Sequence, residues 1–109
     1  MRRVALAVAA LLAPAVAGAE TTFQTLRYVC DRGVEVPATY VNADDLQVAV
    51  IEVEGSQVTL LSEMAASGAR YGWPSDGADY VWWTKGPEAV LYWREGGTET
   101  ALLTCTEAQ

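Results

Sequence analysis

From Leu26 onward, apolar and polar side chains change places at nearly every position. Leu26, Tyr28 and Cys30 alternate with Arg27 and Val29, and Val34, Val36, Ala38 and Tyr40 alternate with Glu35, Pro37 and Thr39. Leu46, Val48 and Val50 alternate with Gln47, Ala49 and Ile51, and Glu52-Val53-Glu54 follows. A helix repeats every 3.6 residues, so a period of two buries a single face only in an extended strand. Turn-forming groups punctuate the runs: Asp31-Arg32-Gly33, Asn42 to Asp45, Glu54-Gly55-Ser56, Lys85-Gly86-Pro87 and Glu95-Gly96-Gly97. Between them lie further strand-like stretches: Gln57 to Leu61, Ala69 to Trp73, Ala78 to Thr84, Glu88 to Arg94 and Thr98 to Cys105. About seven or eight short strands at this spacing predict an all-β fold, a small antiparallel barrel or sandwich. Pro37 has no amide hydrogen to donate, which predicts a sheet edge or a bulge at its position.

The chain opens with Met1-Arg2-Arg3, runs apolar from Val4 to Val16 and reaches Ala17-Gly18-Ala19. A charged start, a short apolar core and a small-residue cleavage site describe a secretory signal peptide over residues 1–19. The run is too short to span a bilayer comfortably. A lipid anchor would need a cysteine at the cleavage site, and the first cysteine is Cys30. The expectation is a periplasmic, non-lipidated protein whose single domain covers residues 20–109. Cys30 and Cys105 are the only cysteines. In an oxidising compartment, such a pair is most simply a disulfide. It would tie the first strand to the last, which favours a closed barrel over a sandwich. The chain-entropy model credits a loop of that length with roughly 4 kcal/mol, a useful staple for a domain this small.

Charge and residue usage exclude several function classes. Without Arg2 and Arg3, five basic residues face fourteen acidic ones, a net charge of −9. Such a surface repels nucleic acid and anionic membranes and attracts cationic partners. The chain has no histidine, which removes histidine-based catalysis and the commonest metal ligand. Asp44-Asp45 reads as a solvated turn, and Glu52 and Glu54 as members of a solvent-facing side. No glycine-rich phosphate loop leads into a helix. No catalytic residue, cofactor or metal is expected, and the chain does not read as an enzyme.

Two segments stand out, Ser67-Gly68-Ala69-Arg70-Tyr71 and Trp82-Trp83-Thr84-Lys85-Gly86. Lys85 is the only lysine in the chain. Taken alone, each segment passes for a turn with its flanking strand, and an exposed lysine is ordinarily a solvated charge. Trp82 and Trp83 are adjacent, so one must point into the barrel and the other outward; Tyr92 and Trp93 form a second such pair. Together with Tyr28-Val29-Cys30 and the closing Cys105, the two segments resemble the family of bacterial inhibitors of c-type lysozyme (the MliC/PliC family), over nearly all of residues 20–109. The resemblance implies a small antiparallel β-barrel and a basic protein partner, c-type lysozyme. It implies that Ser67 and Lys85 enter the lysozyme cleft and contact its catalytic carboxyl groups. Gly68 and Gly86 would let the loop tips turn tightly, Tyr71 would buttress the serine loop, and Arg70 and Trp83 would contribute contacts at the rim. The other reading is a periplasmic glycan-binding module that uses exposed tryptophans. The sequence is equally compatible with a monomer and a homodimer.

Overall fold

The computed structural model describes residues 20–75 and 77–108. The signal-peptide expectation falls on residues 1–19, outside the described residues. Eight strands follow one another: β1 (Thr22–Cys30), β2 (Glu35–Asn42), β3 (Gln47–Val53), β4 (Ser56–Glu63), β5 (Ala69–Gly72), β6 (Asp79–Lys85), β7 (Glu88–Glu95) and β8 (Thr98–Glu107). Each pairs antiparallel with the next, and β8 returns to β1 to close the barrel. The closing register sets Tyr28 opposite Glu107, Val29 opposite Thr106 and Cys30 opposite Cys105. The two cysteines are therefore directly opposed across the seam, and they form the disulfide. Closure leaves the sheet without the free edge at which open sheets aggregate.

Inside the barrel, the alternation becomes a packed core. Val36, Ala38 and Tyr40 of β2 point inward, as do Ala49, Ile51 and Val53 of β3. Trp82 is the largest fully buried side chain. Its indole N–H would be costly to bury without a partner, and it donates to the Tyr40 hydroxyl at 2.8 Å. The Tyr28 and Tyr40 hydroxyls share a 2.7 Å hydrogen bond, and the Tyr28 ring meets Trp82 edge-on with centroids 5.1 Å apart. Burying an indole of this size contributes about 4–6 kcal/mol as an upper figure.

Turn chemistry sets the hairpins. Glu54 and Gly55 both have positive φ, 52° and 80°, as a two-residue type I′ turn requires. Gly96 and Gly97 repeat the pattern at 61° and 83°. Glu54 is thus a turn residue, while Glu52 alone of that pair faces solvent from within β3. Pro37 pairs with Arg27 of β1, but the β2–β3 ladder begins only at Ala38. On its β3 side the proline therefore sits at a local end of pairing, where a missing donor costs little.

Two measurements check this core. Reduction of the disulfide, or a Cys30→Ser/Cys105→Ser double variant, is expected to lower unfolding free energy by roughly 4 kcal/mol; denaturant melts showing a change under about 1 kcal/mol would mean the seam holds without it. Burial raises the pKa of Tyr28, Tyr40 and Tyr71 above the usual 10.0. The folded state then keeps protons that the unfolded chain has lost, so the contribution is complete below about pH 10 and fades above it. Denaturation midpoints should fall above about pH 10, and Tyr40→Phe should remove part of that dependence.

Candidate protein-binding site at one barrel mouth

Antiparallel topology sends the β2–β3, β4–β5 and β6–β7 connections to the same end of the barrel, and these include both segments singled out from the sequence. Lys85 ends β6 and is paired with Glu88, the first residue of β7. Only Gly86 and Pro87 lie between them. Gly86 has φ of 58°, and proline fixes the next φ near −65°. That combination is the type II′ hairpin, with glycine at its first central position. Lys85 is exposed at the base of this tip. Among the described residues no carboxylate lies within ion-pair distance of its ammonium.

The Ser67 loop is built against that hairpin. Register sets Ala69 opposite Thr84, so the residue before Ala69 must pass beside the end of β6. That residue is Gly68, with φ of 66°. A Cβ there would lie 2.2 Å from the Thr84 carbonyl oxygen and 3.0 Å from Trp83 Nε1. Only a residue without a side chain allows so close an approach. Trp83 faces outward, as one of the tryptophan pair must, and its indole N–H donates to the Ser67 carbonyl at 2.9 Å. One backbone contact and one hydrogen bond thus join the two loops into a single surface. Among the described residues the Ser67 hydroxyl takes part in no side-chain hydrogen bond. Tyr71 lies below, buried, with its ring 5.6 Å from that of Tyr40.

Arg70 projects from the outer wall. Its guanidinium donates to Glu99 and lies 3.7 Å from Glu63, with the charge 6.0 Å over the Tyr92 ring. Arg94 adds a forked pair to Glu63 at 2.9 and 3.2 Å and approaches Asp79 at 3.7 Å. These hydrogen bonds with Glu63 raise the Arg94 pKa further above its ordinary range. The cross-strand network spans β4, β5, β6, β7 and β8. It passes over Gly72, where a Cβ would stand 2.3 Å from Glu63 Oε2. Sequence reasoning missed it. The only signal was that Arg70 and Arg94 are two of the few basic residues, each on a strand.

Ser67, Gly68, Trp83, Lys85 and Gly86 are therefore brought together at the mouth. Tyr71 supports them from inside, and Arg70 is committed to acidic neighbours on the wall. The indoles do not form a shared platform. Trp82 is fully buried, Trp83 is half-buried, and the more exposed Trp73 lies in the β5–β6 connection at the far end. Among the described residues no three histidine, cysteine or acidic side chains are grouped to hold a metal.

Comparison with known proteins places this geometry. The family model described as membrane-bound lysozyme-inhibitor of c-type lysozyme matches residues 28–100. A Cupriavidus necator protein named membrane-bound lysozyme inhibitor of C-type lysozyme is 43% identical over 68 residues, covering 62% of this chain and 51% of the relative. A Pseudomonas aeruginosa protein of the same name is 36% identical over 87 residues, covering 77% of this chain and 65% of the relative. The chain thus spans about half to two thirds of the length of these relatives. Among solved structures, Pseudomonas aeruginosa MliC in complex with hen egg white lysozyme superimposes with a TM-score of 0.67 at 30% identity, covering 94% of this chain and 97% of that one.

Joining of the two loops can be read by NMR. In Gly68→Ala, the new Cβ must push the Ser67 loop away from Thr84. The Trp83 indole N–H signal should shift and exchange faster with solvent, while that of Trp82 stays protected. An unmoved Trp83 signal would mean that Gly68 does not hold the loops together.

Proposed function

Because the chain belongs to the family of membrane-bound lysozyme-inhibitors of c-type lysozyme, we propose that it is a proteinaceous inhibitor of c-type lysozyme that plugs the enzyme's active-site cleft with the Ser67 loop and the Lys85 hairpin. The observation that carries this reading is their fusion through Gly68 and Trp83. A preformed pair of loops enters a cleft without first being ordered, which lowers the entropic cost of binding. Lysozyme works through two carboxyl groups that flank the scissile bond. The ammonium of Lys85 has three donors and, among the described residues, no ion pair to break, and the Ser67 hydroxyl supplies one donor more. Engaging those carboxyl groups blocks both saccharide entry and proton transfer. The protein acts by stoichiometric binding and turns nothing over.

Charge supports the same reading. A domain at −9 is drawn towards a basic enzyme, which accelerates encounter at low salt. Lys85 is then the one lysine offered to an acidic cleft by an otherwise acidic surface. We place the protein in the periplasm, exported by residues 1–19. Both cysteines of the chain are consumed by the barrel disulfide, so neither is free to carry lipid.

The test is clearance of cell-wall suspensions by hen egg white lysozyme with added inhibitor. The parent domain should inhibit near equimolar ratio, and less well as salt rises. Lys85→Ala should lose about 2–5 kcal/mol of binding, the range for truncating one partner of a buried charge pair. Undiminished inhibition by Lys85→Ala would overturn the mechanism.

A further inference from the structure

The mouth beside the Lys85 hairpin is not closed by side chains. It opens into a predominantly polar cavity of about 300 Å³, whose lining includes Tyr28, Tyr40, Tyr71, Asn42, Thr84 and Glu107. That is the lower end of the range for ligand sites, suited to a single side chain. Among the described residues its side-chain heteroatoms are phenol, hydroxyl and amide groups and one carboxylate, with no lysine or arginine in the wall. Glu107 has no ion-pair partner among the described residues. Its charge bears on Tyr28 and Tyr40 and adds to the burial that keeps their phenols protonated. The backbone that bears this carboxylate is also tethered. The Glu107 amide donates to the Pro87 carbonyl at 2.7 Å, which ties the acidic end of β8 to the hairpin that carries Lys85.

An oxygen-rich cavity with one unneutralised carboxylate suits a cation with several donors, a guanidinium or an ammonium. A sugar ring would need an open aromatic face, and the three tyrosines are only 2%, 8% and 7% exposed. We infer that the barrel mouth is a receptor for one cationic side chain, an arginine or lysine, projecting from the bound protein partner. This rests on the inhibitor reading and extends it: the contact is reciprocal, with Lys85 entering the partner's acidic cleft and a partner cation entering the mouth at Glu107. The Glu107–Pro87 hydrogen bond fixes the spacing between plug and receptor, so the two engagements share one docking geometry.

The experiment measures association and dissociation of hen egg white lysozyme on immobilised residues 20–109 and its variants, each checked for an unchanged melting temperature. Glu107→Gln should speed dissociation at least about tenfold, as expected for a lost charge-assisted hydrogen bond. Asp44→Asn, on the exposed β2–β3 turn at the same end, changes net charge equally and should alter mainly the association rate. Asn42→Asp adds a second carboxylate to the mouth and should slow dissociation, a gain that misfolding does not produce. Dissociation from Glu107→Gln and Asn42→Asp at the parent rate, with Lys85→Ala still weakened, overturns the receptor and leaves the inhibitor reading standing. Lys85→Ala at full strength overturns the inhibitor reading and the reciprocal contact built on it. Chitotriose binding to the free domain that depends on Glu107, with lysozyme dissociation unaffected by Glu107→Gln, makes the mouth a saccharide site and also overturns the receptor.

Discussion

Closure of β8 onto β1 is the constraint from which the rest of the molecule follows. The closing register is only three residue pairs long, Tyr28–Glu107, Val29–Thr106 and Cys30–Cys105. A ladder that short is a weak join by backbone hydrogen bonds alone, and the disulfide makes one of its three pairs covalent. With the seam shut, Trp82 is enclosed on all sides and its indole finds the Tyr40 hydroxyl. The same closure carries Glu107 to the mouth and aligns it with the β6–β7 hairpin. Core, staple and barrel mouth are therefore consequences of one topological event.

On that rigid frame the proposed plug is a composite. Ten residues separate the end of one segment from the other's tryptophan pair in the chain, yet the Ala69–Thr84 register makes them neighbours. Gly68 permits contact and Trp83 secures it. Trp83 is best understood as a positioning residue: its hydrogen-bonding group is spent on the loop, not on a ligand. Arg70 has a comparable internal role on the wall, where it shares Glu63 and Glu99 with Arg94. A partly exposed network of this kind contributes modestly to stability but holds the short β5 against its neighbours.

The strands were legible because alternation is a local property. The cysteine seam was legible because so few pairings were available. Which face of β3 turns inward was not, since Val48 and Val50 compete with Ala49 and Ile51 and only register separates them. Ala49 and Ile51 are the buried ones. The same limit hid which tryptophan is outward, a choice made by the Tyr71–Trp82 pairing. The ionic network and the mouth cavity were invisible for a related reason. Each draws residues from distant strands, and Gly72 or Glu107 has meaning only once its neighbours across the sheet are known. Ser67 and Lys85 were singled out through family resemblance; the physical link between them, at Gly68, is a finding of the structure.

The central claim is that the joined loops occupy the catalytic cleft of c-type lysozyme. Competition with a saccharide addresses it most directly. Chitotriose fills that cleft, so the apparent affinity of the domain for hen egg white lysozyme should fall in proportion to saccharide occupancy and extrapolate to no binding at saturation. An affinity that stays constant as the cleft fills would place the inhibitor elsewhere on the enzyme and contradict the account.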